Sequence, residues 1–215
     1  MSFFGPPPDS PTGMPMEPPK WGPPVWDRPA EDTLGVSVGM SVVLAVTDEH
    51  AVVFDNVHAF SNGFTFDLVQ MRNPNIPVDF SQMHQRPMFM NGPRLGFEFV
   101  DGSIVTTEQP GIPAVPGGGA PGGWSSTTIS AAAASSERPG FDAEGVPTGH
   151  VLRTRGSGGS QYRQATELWC FRLPPPGPMT IHADWPDHFD EVAIDVDATP
   201  IVDAAGRSRI LWPRT

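Results

Sequence analysis

Apolar and polar residues alternate with a period of two along much of this chain, and that pattern predicts strands. The most regular run is Leu34, Val36, Val38, Met40, Val42, Leu44 and Val46, interleaved with Gly35, Ser37, Gly39, Ser41 and Ala45. It reads as a strand with one buried face. At about 3.3 Å per residue it is longer than typical strands, so a bulge or bend is expected near Gly39, carrying the chain from one sheet to the other. A turn at Thr47 to His50, a strand over 51–60, a turn at Ser61-Asn62-Gly63 and a strand holding Phe64, Phe66 and Leu68 complete a predicted antiparallel meander. Asn-Gly is a favoured hairpin signal because both residues tolerate positive φ. A second tight hairpin is predicted from Leu95, Phe97 and Phe99 through Asp101-Gly102 to Ile104, Val105 and Thr106.

The stretch Glu167 to Pro186 reads as a third hairpin. Trp169, Phe171 and Leu173 alternate with Cys170 and Arg172, and Met179, Ile181, Ala183 and Trp185 alternate with Thr180, His182 and Asp184. With Pro174 to Pro178 as the loop, Phe171 faces Ile181 and Trp169 faces Ala183, and the aromatic residues share the buried face. In that register Cys170 opposes His182 on the other face. The spacing then predicts a strand with Val192, Ile194 and Val196. After it comes a short helix capped by Thr199, with Pro200 in its first position, Ile201 and Val202 plugging a sheet end and Gly206 as its stop. Leu211 and Trp212 are expected to dock the tail.

The expected fold is an all-β antiparallel sandwich or jelly-roll-like domain of seven to nine strands with one short C-terminal helix. It spans residues 33–215. An arm at 1–32, disordered or docked, precedes it; ten of its first thirty residues are proline, which favours extended polyproline II. Residues 73–93 read as a long loop with Met83, Met88, Phe89 and Met90. A Gly/Pro/Ala/Ser-rich insertion is expected at about 109–149. Val151 to Arg155 reads as a short strand and Gly156 to Ser160 as a flexible connection.

Charge narrows the partners. Asp and Glu outnumber Lys and Arg 24 to 13, for a net charge of −11, and such a field repels a phosphate backbone, so nucleic acid is not expected. A single cysteine, Cys170, excludes an internal disulfide framework and fits a reducing compartment. No apolar run reaches bilayer-spanning length and the N-terminus has no secretory pattern, so no membrane partner and a cytoplasmic location are expected.

Candidate chemistry is sparse. No P-loop, H-E-x-x-H or C-x-x-C occurs, and no G-x-G-x-x-G or G-x-S-x-G in a strand-to-helix context. His182, Asp184, Asp187 and Asp190 form an acidic segment whose hard oxygen ligands would suit Ca²⁺ or Mg²⁺; its alternative is a solvated outer face with a polar turn. Gly156 to Ser160 beside Arg153 and Arg155 is either an anion-binding nest or a connection. His50, His58, His84 and His150 are scattered and assemble into nothing from the sequence. Trp21 and Trp26, with the Met-rich loop, are the candidate protein-binding residues, unless the tryptophans pack back onto the domain.

The segment Leu168-Trp169-Cys170-Phe171-Arg172-Leu173-Pro174-Pro175-Pro176-Gly177-Pro178, with Asp184-Trp185-Pro186 and Ile210-Leu211-Trp212-Pro213, resembles a group of uncharacterised proteins from high-GC Gram-positive bacteria. Those proteins share the Trp-bearing strand, the Leu-Pro-Pro-Pro-Gly-Pro turn and the Trp-Pro return. The resemblance implies a shared fold and brings no activity, cofactor or catalytic residue. The function expected is therefore that of a non-enzymatic binding or assembly protein acting through the arm, the Met-rich loop or a sheet edge. The alternative is a small-molecule or carbohydrate-binding sandwich, with metal assistance if the acidic segment holds an ion.

Overall fold

The computed structural model describes residues 24–77, 92–107 and 140–212. They form an antiparallel sandwich of two main sheets, with one short helix and one two-stranded ladder. In chain order the strands are β1 (Thr33–Leu34), β2 (Val36–Val38), β3 (Val42–Val46), β4 (His50–Phe60), β5 (Gly63–Arg72), β6 (Arg94–Phe99), β7 (Ile104–Thr106), β8 (Val151–Gly159), β9 (Arg163–Phe171), β10 (Pro178–Trp185), β11 (Phe189–Asp197) and β12 (Arg209–Ile210), with helix α1 (Thr199–Ala205) before the last. The larger sheet runs β2-β4-β5-β9-β8, with β3 beside the other end of β4; the smaller runs β11-β10-β6-β7. The twelve strands among the described residues, against seven to nine expected, follow partly from two-residue ladders and partly from a split in the first alternating run.

That split falls where the long alternation needed it, between Val38 and Val42. Both halves stay on β4, Val36 opposite Ala59 and Val42 opposite Phe54, so the bend does not change sheets. The Asn62-Gly63 and Asp101-Gly102 turns form their predicted hairpins. Phe54, Phe64, Phe66 and Leu168 of the larger sheet meet Leu95, Phe97, Met179 and Ile181 of the smaller in one core, closed at an end by Ile201, Ala204 and Ala205 of α1. The helix begins one residue earlier than expected. Ala198 is its N-cap, and the Thr199 hydroxyl instead accepts from the Gly177 N–H at 3.1 Å.

The third hairpin does not form. β9 lies between β5 and β8, whereas β10 lies between β6 and β11 in the opposite sheet. Leu168 and Cys170 therefore face Met179 and Ile181 through the core instead of lying beside them. A period of two is the same for strands paired edge to edge and for strands stacked face to face, so alternation could not separate the two. The link decides it: Arg172 adopts φ of 65°, and Pro174 to Pro176 offer no N–H to continue a ladder.

The inward face of β9 is also the reverse of that expected. Cys170 enters the core, while Trp169 and Phe171 point outward into a second apolar cluster with Trp26 and Val151, flanked by Phe60 and Val146. Residues 24–32 make this possible by crossing the outer face of the larger sheet as a strap. Asn62 Nδ2 donates to the Val25 carbonyl at 2.8 Å, Trp26 Nε1 donates to Gly145 at 3.1 Å, and the Arg153 guanidinium lies 5.1 Å from the Trp26 ring centroid. The strap then runs into β1, which pairs with β12. Gly156 to Gly159, expected as a connection, extend β8 as an edge strand, since ladder bonds require no side chain.

Candidate functional site

The strap and the larger sheet enclose a polar groove of about 540 Å³. Arg28, Pro29, Ala30, Glu31 and Thr33 form one wall, and the floor carries side chains of β4, β5, β8 and β9. Two β-bulges shape that floor. On β4, Asp55 opposes Asp67 and His58 opposes Thr65, so Asn56 and Val57 together face the single residue Phe66. On β8, Thr154 opposes Leu168 and Gly156 opposes Glu167, which leaves Arg155 as the extra residue. Each bulge thus supplies one unpaired side chain at the same level of the sheet, a device that re-aims side chains near binding sites.

Both bulge residues hold an acid. Asn56, at φ of 53°, donates from Nδ2 to Asp67 Oδ2 at 3.0 Å, and Arg155 Nε lies 3.9 Å from Glu167 Oε2. The Asn56 carbonyl oxygen takes the second contact, 3.1 Å from His58 Nε2. With Asn56 Nδ2 committed to Asp67, His58 donates from Nε2 and, when neutral, keeps Nδ1 as an acceptor. Asp55, Asp67 and Glu167 stand in one cross-strand row over β4, β5 and β9. Like charges directly opposite repel, and among the described residues only Glu167 in this row has a cationic partner. Thr65 retains 7% of its surface and lines the groove, yet its hydroxyl has no hydrogen-bond partner among the described residues.

A second groove, of about 620 Å³, lies at the sandwich end among Asp101, Ser103, His150, Arg172 and Pro174. Its polar groups are already engaged: Ser103 donates to Asp101 at 2.6 Å, and Arg172 donates to the Pro147 carbonyl at 2.9 Å. His150 stacks 4.2 Å from Phe99, and burial lowers its pKa.

The candidates read from the sequence lie elsewhere. Trp26 is 5% exposed and belongs to the second cluster, so it is packing material and not a free contact. Trp21, Met83, Met88, Phe89 and Met90 lie outside the described residues, as does most of the predicted insertion. The acidic segment is dispersed. Asp184 forms a two-pronged ion pair with Arg94, while His182 lies 3.2 Å from Glu191 and 3.5 Å from Glu98. Asp187 and Asp190 do not join them, and among the described residues no group of three His, Cys, Asp or Glu could hold a metal ion. Cys170 and His182 lie in opposite sheets; burial raises the thiol pKa and keeps it protonated. The proposed glycine nest is strand.

Sequence reasoning missed Asn56, His58, Thr65 and Asp67 as a group. One signal was present: inward residues Phe54, Val57 and Ala59 are spaced three and then two apart, which is the mark of a bulge in an otherwise alternating strand. The contributions of Glu167 and Arg155 depend on which distant strands pair, and no local pattern carries that.

No protein-family model matches this chain, and no curated protein or solved structure matches it. Among the described residues no helix is long and apolar enough to cross a membrane.

Proposed function

We propose that this chain is a ligand-binding β-sandwich that holds a small polar molecule, without transforming it, in the groove beneath the strap. The paired bulges carry this reading. They place Asn56 and Arg155 around Asp67 and Glu167, with the Thr65 hydroxyl and His58 Nδ1 in the same groove. Hydrogen-bonding groups of both senses on a rigid sheet, beside one aromatic wall, Phe60, suit a hydroxylated ligand. The proposed setting is a reducing compartment such as the cytoplasm, in keeping with a single buried thiol.

A thermal-unfolding screen of the full chain against sugars, amines and nucleotides tests the reading. A ligand at a hundred times its Kd adds about 2.7 kcal/mol. A rise in Tm with sugars or amines that the Asp67→Asn and Thr65→Val variants reduce supports the groove, and a rise untouched by either variant removes it from consideration.

A second reading is self-association of this chain. Leu34, Ile210, Leu211 and Trp212 are 57%, 60%, 49% and 69% exposed on or beside the β1–β12 ladder. Large apolar side chains concentrated in this way are a feature of contacts between copies. Light scattering across a concentration series, on the full chain and on Leu34→Ser/Trp212→Ser, checks it: a dimer lost in the variant supports it, and a monomer throughout rejects it.

A further inference from the structure

The groove floor bears an electrostatic imbalance that narrows the ligand class. Each arginine of the groove already has acids beside it. Arg28 lies 3.7 Å from Asp27 and 3.8 Å from Glu31, and Arg155 is held by Glu167. Asp67, at the centre of the floor, has only the neutral amide of Asn56. It stands between Asp55 and Glu167 in register, so its neighbours deepen the negative potential. Separately, Thr65 two residues away on β5 keeps an unpartnered hydroxyl on a side chain that is otherwise buried. That hydroxyl lines the groove and is available both to donate and to accept, so a ligand hydroxyl would pair with it.

We infer that the groove takes a small molecule carrying a protonated amine on a hydroxylated body, of the size of an amino sugar; this rests on the ligand-binding reading above. The amine donates to Asp67, forming a charge-assisted hydrogen bond where the row of acids lacks a cation. A ligand hydroxyl reaches Thr65 Oγ1, roughly 6.7 Å along the strand from Asp67 in backbone spacing, a span that a six-membered ring bearing both groups covers. His58 Nδ1 opposes Thr65 across the ladder and accepts from a further hydroxyl. An anionic ligand is disfavoured by the same row of acids, and a bare metal ion lacks three convergent ligands among the described residues.

The test is calorimetric titration of the full chain at neutral pH and low salt with glucosamine, ethanolamine and glucose. Glucosamine should bind at least about tenfold more tightly than glucose, the margin of one charge-assisted hydrogen bond over a neutral one. Asp67→Asn should abolish that margin by bringing glucosamine down to the level of glucose, and Thr65→Val should weaken glucosamine severalfold while the free protein stays folded. Ethanolamine should bind more weakly than glucosamine and lose its binding in Asp67→Asn. Glucose binding as tightly as glucosamine would overturn the amine assignment while leaving a polar groove standing. Glucosamine binding indifferent to Asp67→Asn would overturn it as well. Absence of heat with both amines overturns the assignment, and the polar-ligand reading is then decided separately by the Tm screen with its two variants.

Discussion

The Trp169 indole Nε1 donates to the backbone carbonyl of Trp26 at 3.0 Å, joining residues 143 positions apart in the chain. That bond fixes the strap on the sheet, and the strap makes the groove. Trp26 lies on the outer face of β9, where a sandwich normally meets water, and it lets Trp169 remain fully buried there. Strap docking and groove geometry are therefore one structural unit.

Trp26→Ala should destabilise the fold by about 3–5 kcal/mol, the usual cost of deleting a buried tryptophan. Trp26→Phe should cost less, since it keeps the apolar body and loses the bond to Gly145. Urea denaturation gives both values, and limited proteolysis should show early cleavage near residue 26 only in the Ala variant.

Gly63→Ala is expected to be as disruptive as a core substitution although the residue lies at a turn. A Cβ there would fall 2.2 Å from the Cys170 carbonyl oxygen and 2.6 Å from the Trp169 ring. Overpacking of this kind costs about 1–3 kcal/mol, which a shift in the denaturation midpoint would register.

Those two residues show how far local pattern reaches. The hairpin at Asn62-Gly63 and the helix near Thr199-Pro200 were legible because turn and helix-start signals are local, although neither Asn62 nor Gly63 takes a positive φ and Ala198, not Thr199, is the N-cap. Trp169 was misplaced because its face depends on Trp26, far away in sequence, and alternation reports only that faces differ, not which is covered. The floor of the groove required the register of β5 against β9 and of β8 against β9, and such pairings are set by the whole core. Asp67 and Glu167 could not be seen as neighbours before those pairings were known.

Thr65→Val should raise the Tm of the free protein by a small amount while weakening ligand binding. Among the described residues the hydroxyl has no hydrogen-bond partner, so a methyl group in its place breaks no bond within the fold and adds apolar burial. Differential scanning calorimetry with and without glucosamine resolves the two effects; a lower Tm without ligand would mean that the hydroxyl serves the fold.

Stability should decline as pH falls from 8 to 5. The pKa of His50, packed 4.5 Å from the His188 ring and 5.1 Å from Trp185, is lowered first by burial and then by His188 and Arg72, with Glu49 opposing. His150 is lowered by burial, with Asp101 opposing. A base whose pKa is lower in the folded state takes up its proton first when unfolded, so stability present above the ordinary value of 6.5 is lost below it. Asp101 and Asp197, both lowered by hydrogen bonds from Ser103 and Thr199, add a separate loss only below their ordinary value of 3.8. Tm measured across this range on the native chain and on His50→Asn/His150→Asn should show a flatter profile for the double variant.

Cys170 should resist a thiol-selective alkylator in the native state and react only on unfolding, because it is fully buried and held as the thiol. Mass spectrometry after exposure with and without urea reads this directly.

The most direct measurement is a two-dimensional amide NMR titration of the full chain with glucosamine. Shifts centred on Asn56, His58, Thr65, Asp67, Arg155 and Glu167, with saturation and loss in Asp67→Asn, are the result expected of a ligand site under the strap. An unchanged spectrum, or shifts confined to residues 209–212 at the terminal ladder, would contradict it.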